Sequence, residues 1–177
     1  MQTVAMSPAA VEALTRMGQM LIQMQVLEKL VSLSLTFPLR DVGVKTLDAL
    51  FAAEAKNKKA TIGRLIVALK SRVDLDDDFA TMLDRFLDYR NTFVHDLDRM
   101  GGFDWQSDSG IARMHDFLDT LASDTEFISK AFTSLLVEWT SANGVHPEGT
   151  QSVRDILGDL DGIATSIFFP KPVKGTP

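Results

Sequence analysis

The sequence predicts an all-α bundle of five or six helices, and three observations carry that expectation. Apolar residues recur at alternating three- and four-residue steps in nearly every segment, the period of a helix buried along one side. Strand signals are nearly absent: no Asn-Gly or Asp-Gly turn joins two alternating β-branched runs. The punctuation between segments is that of helices, with Ser7-Pro8 opening the first and Gly101-Gly102 and Asn143-Gly144 closing later ones. At 177 residues, with 45% hydrophobic and 24% charged residues, the chain is the size and composition of one globular domain.

The first helix is expected to start at Ser7, whose hydroxyl can cap it, and at Pro8, whose missing N–H has no partner in a first turn anyway. Its apolar seam reads Leu14, Met17, Leu21, Met24, Val31 and Leu35, with Glu28 in the gap between Met24 and Val31. Pro38 disfavours helix at the residue before it, so the helix should end near Phe37. A shorter helix follows from Thr46 through Leu47, Leu50 and Phe51. Lys56, Lys58 and Lys59 read as a solvated connector, ahead of an amphipathic turn or two carrying Ile62, Leu65, Ile66 and Leu69. In VDLDDD, Asp74 or Asp76 can cap the next helix, where acids suit the positive end of the helix dipole.

That next helix reads Phe79, Leu83, Phe86, Arg90, Phe93 and Leu97, an arginine standing where the seam asks for Leu or Phe. After the loop GGFDWQSDSG comes the longest pattern: Ile111, Met114, Leu118, Leu121, Thr125, Ile128, Phe132, Leu135 and Trp139. Its unbroken spacing predicts a long helix packed at a shallow angle along its neighbours. Asn143-Gly144 and Pro147 stop it. A last helix is read over Val153, Ile156, Leu157, Leu160, Ile163 and Ile167, and the tail 170–177 reads as disordered.

Composition narrows the function classes. With no cysteine, disulfides, thiolate catalysis and cysteine-ligated zinc or iron–sulfur sites are excluded. The N-terminal MQTVAMSPAA lacks a basic start before an apolar run, so no signal peptide is expected. No apolar run approaches the ~20 residues of a membrane span. A cytoplasmic protein with no membrane partner is the expectation. A formal net charge of −6 argues against a broad surface that coats nucleic acid, while leaving room for a small basic cleft. Phosphate-loop, dinucleotide and nucleophile-elbow motifs are missing, and neither His115 nor His146 has a partner at metal-ligand spacing. No cofactor and no metal are expected, and both histidines read as surface residues. Met17, Met20 and Met24 read as core or dimer contacts.

The stretch YRNTFVHDLDR, residues 89–99, concentrates the chemistry. A buried unpaired charge is costly, so Arg90 needs a partner or a cleft. His95 lies five residues on, about 140° around an ideal helix, whereas Asn91 and His95 are four apart and share a face. Arginine's long side chain can still swing to that face. Two anions are available to it: Glu28, from the gap in the first helix's seam, or a phosphate. The densest positive patch is Lys56, Lys58 and Lys59, with Arg64 close behind, and Arg99 follows the motif.

Arg90-Asn91-x-x-x-His95 in this setting resembles the R-x4–6-H motif of the HEPN domain family, small all-α bundles with a polar residue often following the arginine. The segment ATIGRLI, which includes Arg64, is similar to the T-[LI]-G-x-L-I stretch upstream of that motif in some bacterial HEPN-like proteins. The resemblance covers a core of about residues 7–100 of a single domain spanning 1–177. The long helix and the C-terminal helix, 108–168, then read as additions.

The resemblance implies a metal-independent endoribonuclease, working as a homodimer whose two motifs meet in a cleft between subunits. His95 would act as general base or acid around a ribose 2′-hydroxyl, since imidazole titrates near neutral pH. Arg90 would hold the scissile phosphate, and Asn91 would orient His95 or the substrate. Lys58, Lys59, Arg64 and Arg99 would contact RNA. The implied role is a toxin or phage-defence effector, with an antitoxin-like protein partner. The alternative is a non-catalytic HEPN-like module for protein or nucleotide binding and dimerisation.

Overall fold

The computed structural model describes residues 6–40, 44, 46–102, 104–144, 160 and 162–171. In chain order they form α1 (Pro8–Thr36), α2 (Leu47–Lys58), α3 (Ile62–Arg72), β1 (Val73–Leu75), α4 (Asp77–His95), a 3-10 turn (Leu97–Arg99), α5 (Asp108–Ala142), α6 (Ile163–Ile167) and β2 (Phe168–Pro170). The all-α bundle holds, with only a two-stranded ribbon beside the helices. No described helix is long and apolar enough to cross a membrane.

Short polar side chains set where the helices begin. Ser7 Oγ accepts from the Ala10 N–H at 3.2 Å, Thr46 Oγ1 from Ala49 at 3.2 Å, and Ser107 Oγ from Gly110 at 3.1 Å. Asp76 takes the N–H groups of both Asp78 and Phe79 at 3.1 Å, opening α4. Each satisfies donors that a first turn leaves without an intrahelical acceptor. Gly110 is needed in α5 for a second reason: a Cβ there would lie 2.3 Å from the backbone oxygen of Asp104.

The two long helices, α1 and α5, pack along each other, and α3, α4 and α6 close the core around them. From α4 come Phe79, Leu83, Phe86 and Phe93; from α5, Met114, Leu118, Leu121, Ile128 and Phe132. All lie where the three–four spacing put them. The four apolar residues read for α3 are buried as well.

The phase of α1 differs from the expected seam. Its core face runs through Ala13, Met20, Met24, Leu27, Val31 and Leu35. Leu14 and Leu21 point outward, 42% and 45% exposed. Leu27, not Glu28, fills the position between Met24 and Val31. The cause is that α1 is apolar on both sides, so periodicity alone does not select the buried one.

The lysine cluster also differs from the connector that was expected. Lys56 and Lys58 lie in the last turn of α2 and Lys59 caps it, where cations suit the negative helix end. Between them Asn57 is buried, its Nδ2 donating to Thr36 Oγ1 at 3.0 Å and tying α2 to α1.

The ribbon was not foreseen. β1 and β2 pair antiparallel in the register Val73↔Pro170, Asp74↔Phe169 and Leu75↔Phe168. Three-residue strands are too short to show alternation in sequence. Pairing turns Phe168 inward, its ring centroid 5.7 Å from Phe79 and 5.3 Å from Phe132. Lys171 Nζ donates to the Lys70 carbonyl at 2.7 Å. The tail read as disordered from residue 170 is therefore ordered at Pro170 and Lys171, because β1 holds it; 172–177 lie outside the described residues. So do Pro147, Val153, Ile156 and Leu157, while Ile163 and Ile167 form the short α6.

Candidate functional site

The C-terminal half of α4 is fixed to α5 by two devices. Arg85 meets the buried carboxylate of Asp124 through two hydrogen bonds, Nε to Oδ2 at 2.8 Å and Nη2 to Oδ1 at 2.5 Å. Hydrogen bonding to Asp124, then its charge, holds the Arg85 guanidinium above its ordinary pKa. One turn on, Tyr89 stacks on Phe117 of α5 with ring centroids 4.9 Å apart and planes 7° from parallel, and Phe93 lies 6.4 Å from the same ring. These contacts hold the C-terminal turns of α4 against α5.

Arg90, Asn91 and His95 occupy that last turn and a half. Arg90 is half-buried, and Asn91 and His95 are exposed. The arginine does swing to the neighbouring face: its Nη1 donates to Asn91 Oδ1 at 3.2 Å and lies 3.4 Å from His95 Nε2. One chain thus assembles a permanent cation with several donors, an amide and an imidazole at one helix end. A phosphate oxyanion at this face can take hydrogen bonds from Arg90, with the imidazole beside it able to exchange a proton with a hydroxyl.

Of the other expected residues, Glu28, Lys58, Lys59 and Arg64 make no described hydrogen bond or ion pair with this cluster. Glu28 lies in a groove of about 500 Å³ between α1 and α2, beside Glu54, Asn57 and Lys58. Among the described residues no ion pair joins it to Arg90. The expected Glu28–Arg90 pair is corrected on two grounds: Leu27 holds the core-facing position, and α4 packs chiefly on α5. Lys58 borders the same α1–α2 groove, and Lys59 and Arg64 are exposed on α2's end and on α3. The chief packing partner of both α2 and α3 is α1. Arg99 lies in the 3-10 turn four residues past His95; its side chain lies outside the described residues.

Two polar clusters were missed in the sequence. The first is Arg85–Asp124; the signal was an aspartate beside the apolar seam of the longest helix, facing an arginine one turn before Arg90. The second joins α1 to α5. Arg16 Nη1 lies 2.8 Å from His115 Nδ1, and its Nη2 pairs with Asp119. His115 is thus half-buried against a cation rather than a free surface residue. Among the described residues no group of three or more His, Asp or Glu side chains is placed to hold a metal ion.

Compared with known proteins, the chain matches no family model, no curated protein and no solved structure.

Proposed function

We propose that the chain is a metal-independent endoribonuclease of the HEPN kind, acting through Arg90, Asn91 and His95. The observation that carries this reading is the meeting of all three side chains on one exposed helix end, with Arg90 Nη1 within 3.4 Å of both partners. In the proposed step His95 takes the proton of a ribose 2′-hydroxyl. The 2′-oxygen bonds to phosphorus, the bond from phosphorus to the 5′-oxygen breaks, and that oxygen takes a proton from solvent. Arg90 balances the charge that builds on the phosphoryl oxygens, and Asn91 holds the guanidinium beside the imidazole. The products are a cyclic 2′,3′-phosphate and a 5′-hydroxyl. All three groups come from one chain, so the reading does not depend on a second copy's motif, although the resemblance implies that two motifs face one cleft.

The test is single-stranded RNA incubated with the protein in chelator, beside Arg90→Ala and His95→Ala. Cleavage that leaves cyclic phosphate ends and falls at least about 100-fold in both variants is expected. Intact RNA with the wild-type protein sinks the proposal. A toxin or phage-defence role, with an antitoxin-like partner, would show as growth arrest on expression that His95→Ala relieves. A second reading, a non-catalytic helical module that binds protein or nucleotide and dimerises, is favoured by the net charge of −6, which repels RNA at long range. It predicts assembly without cleavage.

A further inference from the structure

Between the end of α1, the ribbon, α5 and α6 lies a cavity of about 340 Å³, the size of a site for a small molecule. No residue of α4 lines it, so it is separate from the Arg90 cluster. Leu39, Val73, Leu135 and Phe168 supply its apolar wall. Four ionisable side chains line it as well: Arg40, Arg72, Lys171 and Glu138. Three cations to one acid is the reverse of the balance in a chain of net charge −6.

Arg72 is the fixed member of the group. Its Nη1 donates to the Leu35 carbonyl in the last turn of α1 at 2.6 Å, and to that of Leu39 just beyond it at 2.9 Å. These bonds serve the negative end of α1 and use both hydrogens of Nη1. A guanidinium has five. The described hydrogen bonds leave the Nε–H and both hydrogens of Nη2 without an acceptor, and no described ion pair gives Arg72 a carboxylate. A half-buried cation held in place without a counter-ion is unfavourable until an anion comes beside it.

The strand register adds a second cation to the same spot. Val73 pairs with Pro170, so one step further the ribbon sets Lys171 opposite Arg72. Like charges placed opposite each other across a strand pair repel. Lys171 Nζ is tied to the Lys70 carbonyl, and Asp74 lies 3.7 Å from it in an exposed pair that offsets little of the charge. Arg40, exposed at the rim, makes no described hydrogen bond or ion pair. Glu138 does not neutralise the three. Its Oε1 accepts from Ser134 Oγ at 3.2 Å, and no described ion pair joins it to any of them.

We infer that this cavity is a binding site for a small anion, whose phosphate or carboxylate group is taken by Arg72 and Arg40 with Lys171 beside them. The inference does not rest on the ribonuclease reading.

Titration calorimetry of the full chain with inorganic phosphate and, separately, with malonate tests it and tells a phosphoryl ligand from a carboxylate one. At least one of the two should bind at low salt with a Kd of about 1 mM or tighter. Arg40→Gln and Lys171→Gln should each weaken that binding at least about fivefold. Glu138→Gln removes the one repelling charge and should tighten it at least about twofold. Arg40 is exposed, so Arg40→Gln should melt with the wild type in the absence of anion, which separates lost binding from lost structure. A wild type that binds neither anion, or binding indifferent to both Arg40→Gln and Glu138→Gln, would overturn the inference.

Discussion

Removing either member of the Arg85–Asp124 pair should have unequal effects, and the inequality follows from where each sits. The Asp124 side chain is 3% exposed and that of Arg85 49%. Arg85→Ala strands a carboxylate in the interface between α4 and α5 without its two hydrogen bonds. Breaking a fully buried pair in this way costs about 3–5 kcal/mol. Half of this pair is in water and screened, so about 2–4 kcal/mol is the working figure. Asp124→Ala leaves a guanidinium that can turn to solvent, and the loss is the net worth of the hydrogen bonds, about 1–2 kcal/mol. In the double variant no charge is stranded, so it should resemble Asp124→Ala. Urea unfolding of the four proteins at dilute concentration, with matched slopes, measures all three differences. If Asp124→Ala costs more than Arg85→Ala, or if the double variant costs the sum of the singles, the reasoning from burial is wrong.

Three further outcomes are expected. Leu27→Ala should cost about 2–5 kcal/mol in urea unfolding and Leu21→Ala less than about 1 in dilute monomer, since the first is fully buried and the second 45% exposed; the reverse order would restore the misread seam. Gly110→Ala should cost about 1–3 kcal/mol, because its Cβ meets the Asp104 backbone rather than a yielding side chain, and thermal melting reads it. Phe117→Ala removes the ring that Tyr89 and Phe93 lean on, lowering stability by about 2–3 kcal/mol. On the proposed ribonuclease reading it should also reduce RNA cleavage as the end of α4 loosens, measured as turnover well below the melting temperature.

Helices were legible wherever one face was apolar and the other was not. Phe79, Leu83, Phe86 and Phe93 set α4 in phase, as the nine-residue series from Ile111 to Trp139 set α5. In α1 the same method misread the buried side, because Leu14 and Leu21 make as good a seam on paper as Met20 and Leu27. That error carried Glu28 into the core and created an ion pair the fold does not make. The ribbon escaped notice because three residues per strand show no alternation, and its partner strand lies 95 residues away in the chain. The motif itself was legible in part. Helix geometry put Asn91 and His95 on one face and left Arg90 to reach across by side-chain length, as it does. What fixes that helix end, the Tyr89–Phe117 stack and the Arg85–Asp124 pair, depends on the register of α5 against α4, which one sequence does not contain.

The pairing of β1 with β2 has a consequence for the order in which the molecule can complete itself. Phe79 and Phe132 are both fully buried, and Phe168 supplies one wall of their enclosure. Until residue 168 has left the ribosome, the cluster stands open on that side with the edge of β1 unpaired. A nascent chain halted anywhere before the ribbon therefore presents aromatic surface and free strand edge together, the combination that recruits chaperones or other chains. Closing so distant a contact also carries a loop-closure cost that the local helix contacts do not. The docking of the last described strand is thus expected to be the slow, late event that commits an otherwise fast-folding helical bundle to its final form.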